Sequence, residues 1–282
     1  MTAGFGGRLR TALDTYGPLC VGIDPHISLV EEWGLDASAA GICEFGLRVV
    51  EAASGRVGVV KPQVAFFERF GSAGFAALED VLGAARDAGL VVIADAKRGD
   101  IGSTMDGYAA AWLSAGSPLE ADAVTLNPFL GADSLRDTLA SALAAGKGAF
   151  VLAATSNPEA HVLQGARVAD GADETVAARV ARDAAAAGGA SGEALGSIGV
   201  VVGATADRAA VGLTDAALEG LPILAPGFGA QGAEPNDLRR LFGRFCGNVV
   251  ASESRSILSA GPDRLAARIE ERAGLYAEVN RD

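Results

Sequence analysis

At 282 residues, half of them apolar and 38 of them glycine, the chain is too rich in core-forming residues to be disordered and long enough for one large α/β domain. A formal net charge of −12 argues against nonspecific association with nucleic acid or an anionic membrane, although a few local Lys and Arg residues can still hold a small anion. Cys20, Cys43 and Cys246 are too scattered for a disulfide framework or a zinc site, and no run approaches the ~20 apolar residues of a membrane helix, so a cytoplasmic protein is expected.

Short apolar runs recur along the chain at the spacing of strand-plus-helix units. In order they are Leu19–Ile23, Val57–Val60, Val91–Ala94, Ala123–Leu126, Ala149–Ala154, Ile198–Val202, Pro222–Ala225 and Asn248–Ala251. Between them lie segments with helical spacing, among them Ala37–Ala53, Ala73–Ala88, Thr175–Ala187 and Leu238–Phe245. Eight such alternations predict a single (β/α)8 barrel domain over residues 1–282, with a doubly wound open sheet as the alternative. Against the open sheet, no GxGxxG turn follows the first strand, whereas polar residues follow most strands, as at the active-site mouth of a barrel. The stretch Glu159–Asp173 is long for a barrel loop and reads as a mobile lid, and Gly188–Gly192 reads as a surface turn.

Two constellations carry the chemistry. The first is Asp95-Ala96-Lys97-Arg98-Gly99-Asp100, directly behind the third apolar run. Side chains on a strand alternate, so Asp95 and Lys97 share a face, with Asp100 in the following turn. Asp24 and Lys61 stand at the ends of the first two strands, bringing further charge to the same mouth, where the barrel interior prefers aliphatic residues. A structural ion-pair network at the rim is the plainer reading. The functional one is acid–base chemistry, in which a lysine between carboxylates serves as a general acid rather than as a Schiff-base nucleophile. The second constellation is Pro226-Gly227-Phe228-Gly229-Ala230-Gln231-Gly232 after strand seven with Ser254-Arg255-Ser256 after strand eight, the usual position of a phosphate grip in barrels. His26 and His161, the only histidines, are too few for a catalytic triad or a multi-histidine metal site; His26 reads as a polar rim residue, and Phe66, Phe67 and Phe70 as an apolar helix face.

Together with Gly22-Ile23-Asp24-Pro25, Lys61-Pro62-Gln63, Ile101-Gly102-Ser103-Thr104, Thr125-Leu126-Asn127-Pro128 and Thr155-Ser156-Asn157-Pro158, these segments resemble the orotidine 5′-phosphate decarboxylase family, especially its longer bacterial subgroup. The resemblance spans the first strand to the eighth, and DxKRGD with the downstream Thr104 is its most specific part. It implies a cofactor-free, metal-free homodimer that converts orotidine 5′-monophosphate into UMP and carbon dioxide, the last step of de novo pyrimidine synthesis. It further implies a catalytic network of Lys61, Asp95, Lys97 and Asp100, with Asp100 and Thr104 reaching into the partner's site. Asp24 and Lys61 would hold the ribose hydroxyls, Ser156 the pyrimidine and Arg255 the phosphate, while Gln231 bridges pyrimidine and phosphate and Pro226 lines the base pocket.

One departure stands out: many shorter members carry Gly immediately before the phosphate-binding Arg, where this chain has Ser254. Two other readings compete. A sugar-phosphate lyase on the same barrel would share the Asp-x-Lys core but need a divalent metal, and a catalytically silent nucleotide-binding protein would keep only the pocket.

Overall fold

Eight parallel strands close into a barrel in the order β1 to β8, each paired with its sequence neighbours and β8 with β1. The computed structural model describes residues 3–169, 173–188 and 195–279. The strands are β1 (Leu19–Ile23), β2 (Val59–Pro62), β3 (Val91–Arg98), β4 (Ala123–Leu126), β5 (Gly148–Ala154), β6 (Ile198–Val202), β7 (Ile223–Pro226) and β8 (Val249–Glu253). The (β/α)8 expectation therefore holds and the open sheet does not. β2, β3 and β8 run on past the apolar runs, so Lys61 sits within β2 rather than after it, and Asp95 and Lys97 lie on β3, as the alternation argument assumes.

The helices are α1 (Phe5–Tyr16), α2 (Ile27–Glu32), α3 (Ala39–Ala53), α4 (Val64–Glu68), α5 (Gly71–Asp87), α6 (Ser103–Leu113), α7 (Arg136–Ala144), α8 (Ala160–Gln164), α9 (Val176–Gly188), α10 (Leu238–Phe242), α11 (Arg255–Leu258) and α12 (Leu265–Val279). None is long and apolar enough to cross a membrane. In α3, Ser38 Oγ accepts the Gly41 N–H at the N-cap, and Ile42, Phe45, Val49 and Val50 recur at helical spacing to form a buried face packed on α5.

The strand period of two sorts the core into two shells. Outward residues such as Val60, Val92, Val124, Val200 and Ala251 meet the helical layer. Inward residues Cys20, Val59, Val91, Ala123, Phe150, Leu224 and Val250 meet Phe5, Leu9 and Leu13 of α1, which closes the N-terminal end of the barrel. Phe5 stands edge-on to Phe150 with ring centroids 5.9 Å apart, and burial of each such side chain contributes about 1.5–3 kcal/mol. With that end plugged, the opposite end is left for a site.

Within the segment read as a lid, Ala160–Gln164 forms a helical turn tied back to β5. Gln164 Oε1 accepts the Thr155 N–H at 2.9 Å and its amide donates to Thr155 Oγ1 at 3.0 Å, which gives that stretch more order than a loop. The Gly-rich turn expected at Gly188–Gly192 lies, beyond Gly188, outside the described residues.

Candidate active site

The inward positions change character two residues above the apolar floor. Val59 gives way to Lys61, Ile93 to Asp95, Ala123 to Thr125 and Val250 to Ser252, so four strands deliver polar groups to one level of the barrel. At its centre the Asp95 carboxylate, 12% exposed, takes Lys61 Nζ on Oδ2 at 2.9 Å and Lys97 Nζ on Oδ1 at 2.5 Å. Thr125 Oγ1 donates to Asp95 Oδ1 at 3.0 Å and accepts the Lys97 N–H at 2.9 Å. The Gln63 amide, with its nitrogen turned to Asp95, donates to Oδ2 at 2.6 Å and to the Asp95 carbonyl at 3.2 Å.

Burial alone would raise the Asp95 pKa, but the two ammonium groups overcome it and hold the carboxyl at about 2. Burial likewise opposes the charge on Lys61, which is 5% exposed, yet Asp95 and then Asp24 raise its pKa above the ordinary lysine value. Beneath them burial pushes the Cys20 thiol up to about 12, leaving it no nucleophile.

Asp95 and Lys97 do meet, by a less regular path than strict alternation. The β3–β4 register shifts between Ala94 and Arg98, and Lys97 takes φ +49°, the only positive φ of a non-glycine among the described residues. Such a conformation costs on the order of 1 kcal/mol and must be imposed by neighbours. The Thr125 hydroxyl holds the Lys97 N–H, and the Arg98 carbonyl accepts the Asn127 N–H at 2.7 Å. Gly99 lies so close to the Asn127 carbonyl that a Cβ would collide with it. The Arg98 side chain is pinned by an ion pair to Glu68 and by the rings of Tyr108 and Trp112, 5.6 and 5.9 Å from its guanidinium carbon.

A cavity of about 180 Å³ opens over this network. Of the residues singled out in the sequence, Asp24, Lys61, Asp95, Pro226, Gln231 and Arg255 all line it, as do Gln63 and Ser252. His26 lines it too, its ring 4.3 Å from that of Phe66, while Phe67 is buried in the core, so the expected apolar helix face divides its work. Asp24 Oδ1 is buried there without a hydrogen-bond partner. Arg255 is exposed at the start of α11 and has no carboxylate partner among the described residues.

Lys97 faces a neighbouring cavity of about 440 Å³ shared with Asn127, Phe129, Thr155, Asn157 and Leu163. Ser156 is exposed at the mouth and lines neither cavity. Nor does this chain bring Asp100 or Thr104 into its own site: Asp100 Oδ1 accepts the Ile101 N–H, and Thr104 is exposed in the first turn of α6.

A second charged cluster lies behind the phosphate-type loops. Glu253, on the outward face of β8 and wholly buried, binds Arg272 and Tyr276 of α12. Residue spacing offers no signal for this pairing, because α12 meets β8 only in the folded chain; the one hint is a carboxylate where an outward barrel residue is normally aliphatic. Thr125 and Gln63 were visible as motif residues, and only their positions beside Asp95 reveal what they do.

Known proteins give the chain its family. Residues 17–269 match the model of the orotidine 5′-phosphate decarboxylase / HUMPS family. The orotidine 5′-phosphate decarboxylase of Streptomyces coelicolor is 52% identical over 266 residues, 94% of this chain and 93% of that protein. A crystal structure from Streptomyces avermitilis superposes with a TM-score of 0.91 at 47% identity, covering 99% of this chain and 97% of that one. The structure of Leishmania donovani OMP decarboxylase superposes with a TM-score of 0.79 at 30% identity, over 99% and 100% of the two chains. This chain belongs to the orotidine 5′-phosphate decarboxylase / HUMPS family.

Proposed function

We propose that the chain decarboxylates orotidine 5′-monophosphate, releasing carbon dioxide and UMP without a cofactor, as the closing step of pyrimidine nucleotide synthesis. The observation that carries this reading is the pair of ammonium groups on one carboxylate, Lys61 and Lys97 on Asp95, where Lys61 and Asp95 line the same cavity as Gln231 and Arg255 and Lys97 lines the cavity beside it. In the reaction the bond from C6 to the carboxylate carbon breaks, carbon dioxide leaves, and the electron pair stays on C6. The Lys97 ammonium, preorganised by Asp95 and by its own imposed backbone, stabilises that charge and then gives C6 its proton.

Asp24, with its unpartnered buried oxygen, and Lys61 suit the ribose hydroxyls. Arg255 suits the phosphate, Gln231 a bridge from phosphate to base, and Pro226 the wall of the base pocket. Ser156 reaches the pyrimidine only if its loop turns inward. The phosphate takes no part in bond breaking, so its binding energy is available to close loops and expel water.

Asp100 and Thr104 line neither cavity of this chain, which supports their use in a partner's site. Ile101, Phe129, Leu130, Val162 and Leu163 are exposed apolar residues on the loops and short helix that follow β3, β4 and β5, and a second copy of the chain would cover them. Mixing Lys97→Ala with Asp100→Ala chains tests the shared site. Heterodimers with one restored site are expected, and no recovery despite verified subunit exchange would overturn it.

The activity itself is tested by following the ultraviolet absorbance of orotidine 5′-monophosphate with pure protein in chelator-containing buffer. Loss of substrate with matching UMP formation is expected. Turnover that appears only on adding a divalent metal, or UMP binding with no turnover, would overturn the reading in favour of a metal-dependent lyase or a silent binder.

A further inference from the structure

We propose that Glu253 is a positioning residue for phosphate binding, through which α12 locks the loops after β7 and β8 into one anion-binding unit; this rests on the reading of Arg255 as the phosphate ligand. Glu253 stands directly before Ser254 and Arg255, yet the strand alternation that sends Ser252 into the cavity sends Glu253 to the opposite face, into the helical layer. There all its acceptor capacity is occupied. Oε1 takes Arg272 Nη2 and the Tyr276 hydroxyl, each at 2.8 Å; Oε2 takes Arg272 Nε at 2.9 Å and the Ser256 hydroxyl at 2.7 Å.

The same two α12 residues also reach the loop after β7. Arg272 Nη1 donates to Glu234 Oε2 at 2.9 Å, and the Tyr276 ring stands edge-on to Phe228, a cavity-lining residue, with centroids 5.8 Å apart. A third link is steric: Gly229, at φ +72°, lies against Ser256 and Glu253, where any Cβ would strike the Ser256 hydroxyl. Two loops that are separate in sequence are thereby fixed to one buried carboxylate. None of these atoms lines the cavity except those of Phe228, so the cluster acts on a ligand only through the loops.

The experiment measures UMP affinity by calorimetry for Arg272→Met and Tyr276→Phe, each in the parent protein and in an Arg255→Ala background. If the cluster serves Arg255, Arg272→Met weakens UMP roughly tenfold and Tyr276→Phe roughly threefold in the parent, and each by less than about twofold once Arg255 is gone. Equal factors in both backgrounds, or no effect in the parent, would overturn the proposal. Arg255→Ala without any loss of UMP affinity would instead bring down the phosphate reading itself. Tyr276→Phe keeps the ring and every charge, so it decides the matter even if Arg272→Met fails to fold.

Discussion

The two charged clusters of this barrel are built from the same parts and put to opposite uses. At β2 and β3, one carboxylate receives two ammonium groups, both on side chains that line cavities, and one of them hangs on a backbone held in the left-handed region. At β8, one carboxylate receives a guanidinium and two hydroxyls, all turned away from the cavity. A buried ion pair is a weak source of net stability, because desolvation consumes most of what attraction returns. Its use lies in what the pairing leaves available. Lys97 stands at a cavity and is half-exposed, whereas Glu253 keeps nothing free and can only hold other groups in place.

Lys97→Ala tests the first half of that contrast and carries the largest expected effect. If Lys97 gives C6 its proton, the variant should lower kcat by about 10³-fold or more, while the thermal midpoint stays near that of the parent, since the side chain is half-exposed. Normal turnover by a folded, pure variant would end the mechanism. Asp95→Asn comes next, because it leaves the deeply buried Lys61 ammonium without its main counter-charge. Denaturant titration should show a loss of roughly 3 kcal/mol, the usual result of removing one partner of a buried pair. A loss under about 1 kcal/mol would mean that Asp24 alone sustains Lys61.

The pH dependence of stability separates the clusters further. For Asp95 the folded pKa, about 2, lies below its ordinary value of 3.8, so its pairing stabilises the fold above that ordinary value. This contribution, about 2 kcal/mol, is lost as pH falls through about 4 towards 2, and Asp95→Asn should flatten that acid limb. At Tyr276 burial, reinforced by Glu253, raises the phenol pKa. Above about pH 10 the unfolded chain therefore sheds the phenol proton while the folded one keeps it, and stability falls by up to about 1.4 kcal/mol per pH unit. Tyr276→Phe should remove that part of the alkaline loss without touching the acid limb.

The barrel was legible because parallel strands buried on both faces read as short apolar runs, and eight of them at the spacing of βα units leave few alternatives. Most of the first cluster was legible for a related reason: charge at the end of an apolar run, as at Asp95 and Lys97, is conspicuous. What could not be read was any feature that depends on how distant segments meet. The Lys97 backbone is left-handed because Thr125 on β4 holds its N–H, Asn127 just after β4 holds the next carbonyl, and α4 and α6 pin the adjoining Arg98 side chain. Glu253 is a support because α12 crosses behind β8. The extension of β2 through Lys61 escaped for another reason: a charged residue ends an apolar run in the sequence but not a ladder of backbone hydrogen bonds.

Ser254→Gly carries the smallest expected effect and bears on the residue that joins the buried Glu253 to the cavity. The serine caps α11 without any side-chain hydrogen bond, so its hydroxyl contributes nothing at that helix end. Its Cβ instead fills the space over Gly22 on β1, where a Cβ on the glycine would come within 2.8 Å of it. Glycine at 254 would open that space and free the backbone, lowering stability by up to about 1 kcal/mol. The backbone N–H that an anion would use is present with either residue, and Glu253 still fixes the chain one position earlier. UMP affinity should therefore change by less than about twofold. A larger loss would place the geometry of the phosphate loop in the side chain of Ser254 rather than in the buried carboxylate beside it.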